Sequence, residues 1–316
     1  MNIDAYKYYK TSFWESRNYN ELFSHIVLEE LANQVLTNPV FDFNNTSAII
    51  GTKISLDNND SMFVNYSLAS RSPNPSELFS EGLHHSSARI ELGDLRFKSE
   101  VGHNFALTYE KIKENYSLVI NSFVNKIDNF IFIEPVDIQQ TIRGSFQLWE
   151  YKQTNARLFG ADINFNHKYG DYFVFTHQSS ILKGNDLKSN KPLRDMPPAS
   201  IKNAISYNNL RLNNLKVSLE SQYVFRQNEF PNNNFEVYVP TTEIFEEVDL
   251  STPPKAYHIM NLKANFDLFS KNNFPINLSF NINNLLNTSY RNYLNRHRYF
   301  TDDLGRSLSM LIRYKF

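Results

Sequence analysis

Apolar and polar residues alternate with a period of two along most of this chain. In the last eleven residues Leu308, Met310, Ile312, Tyr314 and Phe316 share one parity. Ser307, Ser309, Leu311, Arg313 and Lys315 share the other. Successive side chains of a β-strand point to opposite faces, so this segment predicts a strand with one apolar and one mostly polar face. The same pattern recurs at Met62–Leu68, Phe105–Tyr109, Val217–Phe225, Met260–Leu268 and Phe274–Ile282, with Phe, Tyr, Leu and Ile filling the apolar parity. Each is expected to be a strand.

The connections alternate as strictly as the side chains. Short polar turns are expected near 57–60, 111–115, 168–171, 208–214 and 270–273. Long connections are expected near 10–44, 72–98, 128–154, 183–198, 227–256 and 288–305. Compact soluble domains favour connections of about 4–6 residues. Short turns at one rim and long loops at the other belong to membrane barrels, whose strands run about 9–11 residues. With a partial strand at the N-terminus, the pattern predicts about twelve antiparallel strands of a transmembrane β-barrel. Tyr314 and the terminal Phe316 fit an ordered, aromatic last strand rather than a loose polar tail.

Composition narrows the reading further. The 316 residues carry a formal net charge of -1, so charge gives no reason to expect a nucleic-acid partner. There is no cysteine, which removes disulfides and thiolate metal sites. Aromatics make up 15%, and no apolar run reaches the ~18 residues of a transmembrane helix. Met1 to Lys7 lacks the basic and apolar regions of a secretory signal. No nucleophile elbow, phosphate loop or paired catalytic carboxylates occur, so an enzyme is not expected.

Three segments carry a resemblance to a known family. The first runs from Ser70-Arg71-Ser72-Pro73 through Glu77-Leu78-Phe79-Ser80-Glu81-Gly82-Leu83-His84-His85 to Ala88-Arg89-Ile90-Glu91-Leu92-Gly93-Asp94-Leu95. The second is Tyr151 to Asp162, with its Leu158-Phe159-Gly160 step. The third is Asn281-Ile282-Asn283-Asn284-Leu285-Leu286-Asn287, then Leu304-Gly305-Arg306 and Phe316. Together they resemble TonB-dependent outer-membrane receptors, and the stretch around His84 is most similar to the zinc and haem uptake branch. Lys191 to Pro198 also resembles that branch.

The resemblance implies an all-β chain forming about the last 12 strands of a 22-stranded barrel, without the plug domain. It implies an integral outer-membrane location in a Gram-negative bacterium, with outer-membrane lipid and the barrel-assembly machinery as partners. Tyr314 and Phe316 would supply the insertion signal. Uptake would draw on the inner-membrane TonB complex through a plug that this chain lacks. The imported ligand would be zinc first, then haem or a ferric siderophore. No resident cofactor is expected; bound Zn²⁺ would be cargo. A passive binding barrel and a non-functional fragment of a split receptor gene are the alternatives.

Site candidates follow from residue type. His84 and His85 adjoin in a loop with Glu81, and imidazole with carboxylate suits Zn²⁺. Glu77, Asp94, Arg291 and Arg298 are further candidates to meet a ligand in the outer loops. Tyr290, Tyr293, Tyr299 and Phe300, interleaved with arginines, could contact an anionic siderophore or a haem propionate. His103, His258 and His167 share parity with the apolar face and are expected in an interfacial girdle.

Overall fold

The computed structural model describes residues 2–4, 6–57, 59–239, 241–268 and 276–314. Eleven long strands, each hydrogen-bonded to its neighbours in the sequence, form one antiparallel wall among the described residues. They are β1 (Ser47–Asp57), β2 (Asp60–Arg71), β3 (Glu100–Ile112), β4 (Tyr116–Thr141), β5 (Gly144–Tyr169) and β6 (Phe173–Asp186). Then come β7 (Ser200–Asn209), β8 (Leu215–Val224), β9 (Tyr257–Leu268), β10 (Ile276–Asn283) and β11 (Ser307–Tyr314).

Cross-strand register sorts the two faces. Tyr66, Phe105, Val124 and Phe159 are successive partners on one face, and Ile205, Leu219, Leu262 and Ile282 continue it. Six of these side chains are exposed, Phe105 at 51%, and Leu262 and Ile282 are half-buried. A broad exposed apolar face marks contact with lipid rather than water. The opposite face is polar and internally hydrogen-bonded. Thr108 donates to Asn121 at 2.9 Å, Gln178 to Asn164 at 3.1 Å and Asn261 to Glu220 at 2.9 Å. Lys202 Nζ lies 2.9 Å from Glu220. A hydrated lumen needs that kind of surface.

The histidines at the strand ends lie on the apolar face. His103 Nδ1 is 2.9 Å from the Tyr66 hydroxyl, and His258 Nε2 is 2.8 Å from Ser221 Oγ. The His167 ring stacks on Phe165 at 6.2 Å. His177 shares that face and bonds Asn203 at 2.8 Å.

Among the described residues β1 pairs only with β2, and β11 only with β10, so the wall is an open sheet with two free edges. The expected partial strand at the N-terminus does not join it. Asn2–Asp4 pairs instead with Val40–Asp42 in a small separate sheet. The turn expected at 270–273 and the terminal Phe316 lie outside the described residues.

The long connections hold more structure than their composition suggests. Residues 128–154 were expected as a loop, but β4 and β5 each run on for 26 residues and meet at Ile142 and Arg143. Bulges after Ile127 and Pro135 shift the register as the hairpin leaves the wall. Residues 72–98 form a helix (Pro75–Phe79) and two short strands (Glu81–His84, Arg89–Leu92), the second running parallel to Gln147–Glu150 of β5. Gly93 packs so tightly on this helix that a Cβ would sit 2.7 Å from backbone atoms of Glu77 and Leu78.

Residues 7–37 build an outer lobe from Lys7–Lys10, Gln34–Thr37 and Val27–Glu30 with two helical turns. Its core is aromatic: Tyr9, Trp14 and Tyr19 are buried, and Leu78, Leu95, Phe97 and Ile131 complete the same cluster. The lobe is thereby docked on the 72–98 connection and the base of the outer hairpin.

Candidate ligand-binding site of the outer loops

Trp149 stands on the extended part of β5 and is 3% exposed. The parallel pairing of Arg89–Leu92 with Gln147–Glu150 brings Arg89 beside it. Two guanidinium groups cover its ring, Arg89 at 4.4 Å and Arg194 at 4.7 Å from the centroid. Arg194 comes from the connection after β6. It donates to the Tyr299 hydroxyl at 2.6 Å, to the Leu250 carbonyl at 3.0 Å and to Asn233 at 3.2 Å. Arg298 lies over Tyr293 at 4.4 Å and Tyr299 at 4.7 Å, and donates to Asp195 at 3.0 Å. Five separate connections thus converge on one stack of planar cations and rings.

A cavity of about 230 Å³ opens at this stack, lined by Arg89, Gln147, Trp149, Arg296, Arg298 and Tyr299 among others. Glu91 accepts from Arg89 at 2.7 Å, and Asp195 serves Arg298 and, at 3.6 Å, Arg194. Arg296 is exposed at the mouth with no ion pair among the described residues. Arg89, Arg296 and Arg298 thus line the cavity of this cage against one lining carboxylate, Asp195, with Arg194 and Glu91 behind them. The Nε atoms of Arg194 and Arg298 are buried without a hydrogen-bond partner, Arg194 Nε lying 3.6 Å from Asp195. Burial raises the Tyr293 and Tyr299 hydroxyls above the ordinary tyrosine value, so both remain neutral donors. The chemistry suits a compact anion with flat, polarisable faces.

The candidates read from the sequence divide. Arg298 is in the cage. Arg291 is at its outside, bonded to Asp302 at 2.6 Å and to the Arg298 carbonyl at 2.8 Å. Glu77 closes a capping box on the Pro75–Phe79 helix and accepts from Arg71 at 3.0 Å, so it braces the loop. Asp94 is buried and clamped by Arg96, Tyr19 and Arg17. Glu81 turns away from the histidines and accepts the Lys10 N–H at 3.2 Å; burial raises its pKa. His84 and His85 are exposed, and His84 Nδ1 lies 3.1 Å from the hydroxyls of Ser86 and Ser87. Among the described residues no three His, Asp or Glu side chains are placed to hold a metal ion, so His84, His85 and Glu81 are not brought together.

Residues 9–285 match the family described as TonB dependent receptor-like, beta-barrel. The chain belongs to the TonB-dependent receptor β-barrel family. The fold agrees with solved members. Similar structures include the copper transporter OprC, with TM-score 0.66, 13% identity and 88% of this chain covered. The siderophore receptor PirA from Acinetobacter baumannii matches at 0.59, 16% and 89%. The FrpB iron transporter from Neisseria meningitidis (F5-1 variant) matches at 0.57, 17% and 90%. The chain spans 40%, 41% and 40% of those chains respectively. No curated protein sequence matches it significantly.

In this receptor barrel the cage residues missed from the sequence are Trp149, Arg89, Arg194 and Asp195. Three of them sit inside segments that carried the family resemblance. Nothing local marks them as neighbours, because each contact spans tens of residues.

The docking of the lobe on this receptor barrel depends on Asp94, and that dependence is testable by pH. Burial alone would raise the Asp94 carboxyl, but hydrogen bonds and charge from Arg96, then Arg17, outweigh it and hold the pKa below the usual value. A depressed carboxylate contributes stability above its unfolded pKa of about 3.9 and loses it as pH falls through the lower folded value. Trp14 emission in a Trp149→Phe background should therefore stay blue at pH 5 and shift red in stronger acid. Asp94→Asn should show the open-lobe spectrum at neutral pH; an Asp94→Asn protein that follows the parent would remove Asp94 from the clamp.

Proposed function

We propose that this chain is the C-terminal barrel portion of an outer-membrane receptor that takes up a small anionic metal chelate. Arg89, Arg296 and Arg298 lining the cavity, with Arg89 and Arg194 over Trp149, carry that reading. A ferric siderophore or a haem presents negative oxygens to the guanidiniums and flat surfaces to the rings. Sequence alone puts zinc first. Bare zinc needs three or four converging nitrogen or oxygen donors, and the geometry favours a chelate in which the metal arrives already coordinated.

Capture is the part this chain would perform. Unpaired backbone at a sheet edge costs several kcal/mol per group in lipid, so β1 and β11 require further strands on either side. The plug, and through it the TonB complex that drives release, would belong with those strands. The barrel-assembly machinery would insert the whole.

Trp149 supplies the readout. In the protein with its full barrel, an anionic ferric siderophore or haem should quench Trp149 emission saturably, with affinity that weakens as salt rises. Zn²⁺ alone should not quench, and Trp149→Phe should lose the signal. Saturable Zn²⁺ binding that disappears in His84→Ala, with no chelate bound, would overturn the proposal in favour of zinc.

A further inference from the structure

The outward, apolar face of the wall carries a cationic ledge that ligand capture does not use. Lys126 of β4 and Arg157 of β5 are direct partners across the ladder. On the next strand Lys183 pairs with Phe159, two residues from Arg157. All three share parity with Val124, Phe159 and Ile181 and so project from the lipid-facing side. Beyond this row β4 and β5 continue into the outer hairpin, which places the ledge at the outer rim.

Directly inward of the ledge is an apolar groove of about 430 Å³. Phe105, Leu107, Val124, Phe159 and Ile181 line it, and Lys183 closes its upper end. Arg157 is exposed, lies 5.9 Å from the Phe159 ring and has no ion pair among the described residues. Among the described residues Lys126 is paired only with Asp128, at 3.3 Å, with its side chain 56% exposed, a pairing that solvent screens. Lys183 is paired with Glu229 of the 227–256 connection.

An unpaired guanidinium on a lipid-facing surface is unfavourable against hydrocarbon and favourable against an anionic headgroup. Its planar fork matches two phosphate oxygens, and a neighbouring ammonium adds charge without demanding geometry. The groove beneath accepts what hangs from such a headgroup. We propose that Lys126, Arg157 and Lys183, with the groove, bind a phosphate-bearing acyl lipid of the outer leaflet. The headgroup sits on the ledge and an acyl chain lies along Phe105, Val124 and Phe159.

The test uses the protein purified from outer membranes into mixed micelles, with native mass spectrometry to count retained lipid. A phosphorylated outer-leaflet glycolipid is compared with the same lipid after phosphatase treatment and with inorganic phosphate. The parent should prefer the phosphorylated form by about tenfold or more, and the Lys126→Gln, Arg157→Gln double variant should lose most of that preference. Arg157→Lys should keep part of it, which preserves the test if the double variant loses heat-modifiable gel mobility. Phe159→Ser should weaken both lipid forms together. Equal retention of the two forms by the parent, or displacement by inorganic phosphate at lipid-like concentration, would overturn the proposal.

Discussion

Replacing Arg298 with alanine should cost the receptor at least a hundredfold in affinity for an anionic chelate, with the wall unharmed. Arg298 is 6% exposed, stacked on Tyr293 and Tyr299, and paired with Asp195. Removing one member of a fully buried pair costs about 3–5 kcal/mol; the Asp195 side chain is 42% exposed, so solvent screening reduces that figure here. Here that partner is Asp195 at the cavity wall, so truncation removes a positive charge and leaves Asp195 with Arg194 alone, at 3.6 Å. Both changes oppose an anion. Arg291→Ala is the matched control: Arg291 is a partly exposed side chain bonded to exposed Asp302. Exposed pairs contribute about 0–1 kcal/mol, so its affinity should change less than about fivefold. Arg298→Lys should recover charge but not the flat stack, and should fall between the two. Trp149 quenching titrations measure all three, with heat-modifiable mobility confirming the wall. If Arg291→Ala weakens binding as much as Arg298→Ala, the cage is not the site.

The wall was legible in the sequence because its signal is local. Met260 to Leu268 and Ile276 to Ile282 alternate without a break, and their register matches that alternation residue for residue. The outer hairpin was not legible. Around Phe130, Ile131, Phe132 and Ile133 both parities are apolar, and bulges on either side change which parity faces inward. A period-two reading has nothing to hold there. The lobe escaped for another reason. Its helices, Thr11–Ser16 and Tyr19–Phe23, are too short to show a helical period and depend on tertiary packing.

The site shows the same division. Glu77 looked like a ligand candidate, yet Asn74-Pro75-Ser76-Glu77 is a helix-start pattern with proline at the first position and a capping glutamate three on. That local reading accounts for where Glu77 sits in the fold. The stack on Trp149 was not available in the same way. Arg194 reaches Tyr299 across 105 residues, and only the folded connections bring them together. Arg298 stood out as a candidate because aromatics and arginines crowd its own loop.

Trp14→Ala should unfold the outer lobe without opening the wall. Trp14 is fully buried, 5.5 Å from Tyr9 and 5.1 Å from Tyr19 by ring centroids, and its Nε1 donates to Asn20 at 2.5 Å. Truncating a buried tryptophan costs about 3–5 kcal/mol in lost transfer and cavity terms. Stability of roughly 0.05–0.15 kcal/mol per residue gives a lobe of this size only a few kcal/mol to lose. Helical turns this short do not survive outside their packing. Chymotrypsin should then cut within 7–37 at least a hundredfold faster, while heat-modifiable mobility stays as in the parent. Because Leu78 and Leu95 share the cluster, the Arg89–Leu92 strand should loosen as well, and chelate affinity should fall. Trp14→Phe keeps most of the ring packing and loses the Asn20 bond, so cleavage should rise far less. Equal protection of Trp14→Ala and the parent would mean the lobe is held from the barrel side alone, through Arg17, Tyr19 and Asp94.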